Sequence, residues 1–384
     1  KIELMHIVFL TSEYPKDGFP HGGVGTFIRI LSRGLVKNNI DVSIVGLNYI
    51  PKDEVEEDKG VKIYRYKRSK VKKMGWLLNN KILNKALKEL HNKQPIDVVE
   101  ATELGLAFIH KIPGIKYLIR MNGGHHFFAE SENRGVEFWK AFQERRSFRK
   151  ADHVIGVSDY VMNHTEKFIN FEDKRGEAIF NPANLDMFYP ADYTKEIKGR
   201  IFFAGSLCEK KGIRQLVKSM PQIKKQIPEA HLVVAGRDTK IRGTQDSYLA
   251  YLKTEIPEEV KADITFLGSI ENTQIPKEIE KAEVCAYPSH MEAMPLAWIE
   301  VLSMGKAFVA SNLGPGSEAV KHGETGLLCN PLDINDLANQ IIYMLQNRKE
   351  AHNMGQNAIK DVQKRFSLEV LMDKNIEMYK KLIN

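Results

Sequence analysis

Pro288-Ser-His-Met-Glu292-Ala-Met-Pro-Leu-Ala-Trp-Ile-Glu300-Val-Leu-Ser-Met-Gly305 places two glutamates eight positions apart, one on each side of an expected helix start. Pro295 has the fixed φ that suits a first helical residue, and the N–H it lacks is not needed there. The spacing therefore predicts a loop carrying Glu292 and a helix carrying Glu300 more than one turn in. Backbone N–H groups and the positive end of the helix dipole make such a junction an anion site, formed here by Ala293, Met294, Pro295 and Leu296. Beside a bound phosphate, a loop carboxylate can hold a hydroxyl-rich group, and a helix carboxylate can accept from a ribose diol. A nucleotide-sugar needs both.

Upstream lies an apolar strand, Val284-Cys-Ala-Tyr287, closed by Pro288-Ser289. Downstream follow Gly305-Lys-Ala-Phe-Val-Ala-Ser311, Gly314-Pro-Gly316 with Glu318, and Gly323-Glu-Thr-Gly326. In this order of strand, glutamate loop, helix, strand and glycine-rich loop, the stretch resembles the E-x7-E signature of the retaining glycosyltransferases of family 4. The resemblance implies the GT-B fold: an α/β chain of two Rossmann-like doubly wound domains facing a central cleft. It also implies transfer of a sugar from a nucleotide-diphosphate donor to an acceptor glycan or lipid-linked acceptor, with retention at the anomeric carbon.

The rest of the chain agrees with two α/β domains. Its 384 residues exceed what one compact core usually holds. Met5–Leu10 is a continuous apolar run, as a strand buried on both faces would be. A glycine loop through Gly22, Gly23 and Gly25 follows, then Phe27, Ile30, Leu31 and Leu35 at helical spacing, then the strand Asp41-Val-Ser-Ile-Val45. Strand, loop, helix, strand is a βαβ unit. Strands continue at 97–99, 117–119 and 153–158. A second series runs through 201–204, 231–235, 264–267, 284–287 and 308–310. The polar stretch Tyr189–Gly199 is the expected linker, which sets a first domain at 1–190 on the acceptor side and a donor-binding domain at 199–366. Residues 367–384 read as a helix, and the resemblance implies that it packs back on the first domain.

The resemblance assigns further donor-site residues. Phe203-Ala-Gly205-Ser206-Leu-Cys-Glu-Lys210-Lys211-Gly212 is similar to the family's G-R-x4-K-G motif, with Lys211 facing the donor diphosphate and Ser206 where arginine is usual. A cation there would stabilise the leaving diphosphate. Gly22 and Gly23 stand for the family's glycine loop over the donor, at the sheet end where such folds bind ligands. Arg237 and Ile270 stand where relatives cradle the base. Asn122 occupies the usual histidine place in Arg120-Met-Asn122-Gly-Gly-His125-His126, so His126 is the expected catalytic histidine, with Asn122 and His125 as acceptor or sugar contacts. Glu292 and Lys211 complete the expected catalytic set. No Asp-x-Asp pair occurs, and Mg²⁺ prefers such carboxylates, so no metal and no cofactor beyond the donor co-substrate are expected.

Composition narrows the alternatives. Hydrophobic content of 43% and charged content of 27% are those of an ordinary globular enzyme. Three scattered cysteines fit reduced thiols, and the first residues do not read as a secretory signal, so a cytoplasmic setting is expected. The net charge is +7, of which residues 1–190 hold +6. Between Val61 and Lys93 lie 11 basic residues and one acid, Glu89, with Trp76-Leu77-Leu78 among them. Cations beside Trp and Leu suit an anionic membrane surface, so residues 62–93 are an expected peripheral contact on the inner face of the membrane. No nucleic-acid motif accompanies the charge. The competing readings are a nucleotide-sugar epimerase of the same fold, a two-domain binding protein without chemistry, and a nicotinamide oxidoreductase. The missing G-x-G-x-x-G fingerprint disfavours the last.

Overall fold

The computed structural model describes residues 5–19, 22–71, 74–132 and 134–384, and the chain divides into two compact units. One comprises residues 1–182 with 368–384, and the other residues 183–367.

The first unit runs β1 (His6–Leu10), α1 (Gly23–Lys37), β2 (Asp41–Leu47), β3 (Glu54–Asp58), β4 (Val61–Tyr66), α2 (Gly75–Lys93), β5 (Val98–Ala101), β6 (Lys116–Met121), α3 (His125–Ser131), α4 (Phe138–Lys150), β7 (His153–Gly156) and α5 (Asp159–Glu166). Among the described residues the strand order is β3-β4-β2-β1-β5-β6-β7, parallel except for the β3–β4 hairpin. All five residues of β1 are buried, because helices cover both faces of a parallel sheet. The hairpin was not expected from the sequence. Its edge strand is acidic, and Glu54 and Glu56 both bind Lys16 while Asp58 binds Arg33.

The second unit runs β8 (Arg200–Ala204), α6 (Ile213–Gln226), β9 (His231–Ala235), α7 (Tyr248–Thr254), β10 (Ile264–Gly268), α8 (Ile275–Lys281), β11 (Val284–Tyr287), α9 (Leu296–Ser303), β12 (Phe308–Ser311), α10 (Gly316–Ala319), β13 (Leu327–Cys329), α11 (Ile334–Gln346) and α12 (Arg348–Arg365). Its strands lie in the order β10-β9-β8-β11-β12-β13, all parallel. Each sheet reverses direction once, between β1 and β5 in the first unit and between β8 and β11 in the second. In open α/β sheets ligands bind outside the carboxyl ends of the strands at that reversal.

α13 (Leu368–Ile383) belongs to the first unit. It is held by a buried polar cluster. Arg120 on β6 donates to Glu100 on β5 at 2.7 Å and to Oδ1 of Asn375 on α13 at 2.6 Å, and the Tyr379 hydroxyl donates to Glu100 at 2.5 Å. All four side chains are almost fully buried.

The expected linker is not one. Residues 189–199 lie inside the second unit, where Ala191 N–H donates to Met304 O and Ile197 N–H to Lys281 O, both at 2.9 Å. Glu196 is buried against Lys306 at 2.5 Å, and the Tyr193 ring stacks on His352 at 4.1 Å. Of its charged residues, Glu196 is spent on a buried pair, while Lys195 and Lys198 form more exposed ones with Glu280 and Glu229. Among the described residues no helix is long and apolar enough to cross a membrane.

Candidate functional site

In the second unit, the donor residues expected from sequence gather at the carboxyl edge of the sheet. Ser206 follows β8, Arg237 follows β9, Ile270 follows β10, and the Pro288–Leu296 loop follows β11, on four adjacent strands. The loops are tied to each other by the backbone. Leu207 N–H donates to Arg237 O at 2.9 Å, Gly236 N–H to Gly268 O at 2.8 Å, and His290 N–H to Lys210 O at 2.8 Å. Arg237 is exposed, and Ser206 and Ile270 are half-buried.

The turn that delivers Lys211 is forced by its neighbour. Gly212 has φ +69°, and a Cβ there would lie 1.8 Å from the Pro288 carbonyl oxygen. Only glycine fits both the left-handed backbone and the contact. The turn thus rests on the end of β11, and Lys211 Nζ reaches Glu292 Oε1 at 2.5 Å across 81 residues of sequence. Glu292 is 9% exposed. The two groups expected to divide diphosphate and sugar between them form one ion pair, so each holds the other in position. Cation and carboxylate side by side can bind a substrate that is anionic at one end and hydroxyl-rich at the other.

The helix start differs by one residue from the expectation. α9 begins at Leu296, and Pro295, with φ −77° and ψ 121°, is its cap and not its first residue. The extended ψ turns the chain out of the helix toward Glu292. Ala293 and Met294 are buried beside it. Glu300 lies on the second turn of α9. Part of its surface is exposed, yet protein surrounds the carboxyl, and that burial raises it to about 7. Near it the Tyr287 hydroxyl is buried and is pushed well above the usual tyrosine range, first by burial and then by its electrostatic neighbours Cys285 and Glu300, against the backbone at Ala204.

Glu209 is a residue that the sequence reading passed over. Partial burial pushes its carboxyl up, but hydrogen bonds from Arg214, Tyr248 and Gln215 outweigh this and hold it at about 2. It therefore stays ionised and fastens the Lys210-Lys211 turn to α6 and α7. Its signal was the pair Glu209 and Arg214, five apart across a helix start, and nothing in the sequence pointed to Tyr248.

In the first unit, Gly22 caps α1 and Gly23 is its first residue, both exposed at the carboxyl edge near the sheet reversal. His21, in the same loop, lies outside the described residues. Asn122 closes β6, its N–H donating to Glu103 Oε1 at 2.5 Å and its amide to Arg120 O at 3.1 Å. Both histidines are buried in the first unit. His126 is 2% exposed, with Nδ1 at 2.5 Å from Glu144 Oε2 and its ring stacked on Phe168. His125 is 7% exposed and its Nε2 accepts the Glu137 N–H at 2.9 Å. The His126 Nε2 is buried without a hydrogen-bond partner among the described residues.

Their organiser is Glu144, fully buried on α4. It accepts the backbone N–H groups of His125 and His126 at 2.9 and 3.0 Å, and its Oε1 occupies the space that a Cβ on Gly124 would need. Glu103, also buried, is raised to about 7 by burial and then by the Glu144 charge, against the pull of backbone N–H groups. Glu144 was legible only as an acid in a row of inward positions with Ala141, Ser147 and Phe148.

Residues 62–93 divide between two roles. Lys62 is exposed on β4, but Arg65 is buried and donates to Tyr14 O and Pro15 O, and Leu87 and Leu90 face the core. Trp76 and Leu77 are exposed. Lys72 and Lys73 lie outside the described residues.

Comparison with known proteins agrees with this architecture. Residues 21–187 match the family model "Glycosyltransferase Family 4", and residues 191–361 match "Glycosyl transferases group 1". An uncharacterized glycosyltransferase of Methanocaldococcus jannaschii is 25% identical over 98% of each chain. Among solved structures, sucrose-phosphate synthase from Thermosynechococcus elongatus superposes with a TM-score of 0.83 at 21% identity, covering 98% of this chain and 99% of that one. HepE from Anabaena, solved in complex with UDP-glucose, gives 0.74 at 17% identity over 98% and 100%. The two family models side by side, on two Rossmann-like parallel sheets, place this chain among the glycosyltransferases of family 4, with the GT-B fold.

Proposed function

We propose that the chain transfers a hexose from a nucleotide-diphosphate sugar to a glycan or lipid-linked acceptor, with retention at the anomeric carbon and without a metal ion, in the synthesis of cell-surface polysaccharide. The observation that carries this reading is the Lys211–Glu292 pair at 2.5 Å, at the point of sheet reversal and beside the start of α9. Glu292 would take the sugar hydroxyls, and Glu300 the ribose. Lys211 and the α9 N-terminus would receive the charge that builds on the diphosphate as its bond to the anomeric carbon breaks. The acceptor oxygen forms the new bond to that carbon, and its proton passes to the departing diphosphate oxygen. No protein nucleophile is required. Arg237 and Ile270 would flank the base. The complexes of HepE with UDP and UDP-glucose make a uridine diphosphate donor the first to test.

The test is a thermal-shift panel of UDP, GDP, ADP and their common sugars, with and without EDTA. Selective, EDTA-insensitive stabilisation by one diphosphate supports the reading and names the base. A flat response from folded protein removes the donor site. Release of altered sugar without any acceptor would favour the epimerase.

A further inference from the structure

On the second unit, α11 and α12 border a groove of about 500 Å³ against the turn that leads into β13. That volume lies within the range of small-ligand sites, about 300–1,000 Å³. The groove lies at the amino edge of the sheet, since Leu327 in its lining is the first residue of β13. The donor loops follow their strands at the opposite, carboxyl edge. Helical spacing brings the walls together. Gln340 and Tyr343 are three apart on α11, and Glu350, Asn353 and Asn357 follow at three and four on α12. Leu327 and Met354, both buried, supply the apolar part of the lining.

Most of the lining is held in place. The Tyr343 hydroxyl donates to Glu350 Oε2, which ties α11 to α12 and fixes a ring that is 41% exposed. His322 Nδ1 accepts the Leu328 N–H at 2.9 Å, so the proton of a neutral imidazole lies on Nε2. The turn that carries His322 is closed by the Gly323 N–H on Gly326 O at 2.8 Å. Gln340 donates to Asp336 at 3.1 Å and Asn357 to Glu324 O at 3.2 Å, each through its amide nitrogen, which leaves both amide oxygens as acceptors. Asn353, exposed, offers donors and an acceptor together. Donors and acceptors interleaved in this way suit hydroxyls, because each hydroxyl both donates and accepts. The exposed aromatic ring suits the C–H face of a sugar. Among the described residues the lining has no lysine or arginine, and Glu350 adds a negative charge, so phosphate and carboxylate ligands are disfavoured.

We propose that this groove binds a neutral glycan, with one sugar ring on Tyr343 and its hydroxyls on the amides of α11 and α12. The site uses neither Lys211 nor Glu292 and goes beyond the transfer reading. On that reading it has a use. A glycan held here stays tethered between transfers, which raises its effective concentration at the donor edge of the same unit.

The test is saturation-transfer NMR on the full chain with maltose, cellobiose, lactose and N,N′-diacetylchitobiose, each with and without saturating UDP. The expected result is transfer from the protein to at least one of these disaccharides, unchanged by UDP. Tyr343→Ala removes the ring from an exposed helix position and weakens that binding roughly tenfold. Asn353→Asp replaces the amide donors by a second negative charge near Glu350 and weakens it roughly threefold or more. A melting temperature equal to the parent's shows that each variant is folded. No transfer to any of the four sugars, or equal binding by the folded variants, overturns the proposal. Loss of the signal on adding UDP also overturns it, since the sugar then occupies the donor site. So does a stronger response from cellobiouronic acid than from cellobiose, or displacement of the sugar by tri-alanine, which assigns the groove to peptide. A flat nucleotide panel beside disaccharide binding would refute the donor site and leave this inference standing.

Discussion

Glu300 is held with its carboxyl raised to about 7 by burial, against an ordinary value of 4.5. A gap of that size corresponds to roughly 3 kcal/mol of preference for the protonated form, at ~1.4 kcal/mol per pH unit. The sign follows from linkage. The folded value lies above the unfolded one, so the folded chain is favoured while Glu300 is protonated, and that advantage is lost as pH rises from the ordinary value to about 7. Above that range the chain carries an ionised carboxyl in a desolvated place, which costs stability. Glu300→Gln removes the titration and keeps the shape. At about pH 8.5 the variant should be more stable than the parent by up to ~3 kcal/mol, equivalent to roughly 6–12 °C for a unit of this size. At about pH 4, below the ordinary value, the side chain is mostly neutral in both states of both chains, and the difference should shrink to near zero. Calorimetric melting of the intact chain at the two pH values measures this. The same variant should lose nucleotide affinity at high pH, since an amide is a weaker acceptor for a diol than a carboxylate. An equal shift in melting at both pH values, or a less stable variant at high pH, would refute the argument that desolvation governs Glu300.

Lys211→Ala and Glu292→Ala should each lower transfer by about 10²–10³ while leaving the fold intact, because the pair lies partly in solvent and, on the proposed reading, Lys211 meets the departing diphosphate and Glu292 the sugar; single-turnover assays and circular dichroism check this. Gly212→Ala should cost about 2 kcal/mol or more, since it places a methyl group on the Pro288 oxygen at a positive φ. It should also abolish nucleotide stabilisation by displacing Lys211. Arg120→Leu should destabilise by about 3–5 kcal/mol by stranding Glu100, and adding Glu100→Leu should recover much of that loss; urea unfolding of the single and double variants decides it.

Most of the architecture was legible because parallel strands announce themselves as short apolar runs. Met5–Leu10, Asp41–Val45 and the series from Ile201 onward all lie on observed strands. The β3–β4 hairpin escaped because Glu54-Val-Glu-Glu-Asp58 pairs its acids with Lys16 and Arg33, which are far away in sequence. The linker expectation failed for a related reason. Polar residues 189–199 look solvent-bound until Glu196 meets Lys306, 110 residues on. The loop that carries Glu292 and the helix that carries Glu300 were readable through local order, with Pro288, Glu292, Pro295 and Glu300 all within one loop and helix. The histidine pair was not, because what buries it is Glu144 on the next helix, and no spacing rule distinguishes a buried cap from an exposed acid.

The cluster joining Arg120 and Glu100 to Asn375 and Tyr379 also orders events during synthesis. The first unit is interrupted by the second, so its sheet emerges from the ribosome long before α13 exists. Until those last residues arrive, Arg120 and Glu100 lack two of their buried partners, and the groove that α13 will fill lies open. The first unit should therefore mature last although it is made first, and a chain cut before Leu368 should be a target for chaperones and proteases even with every strand of both sheets present.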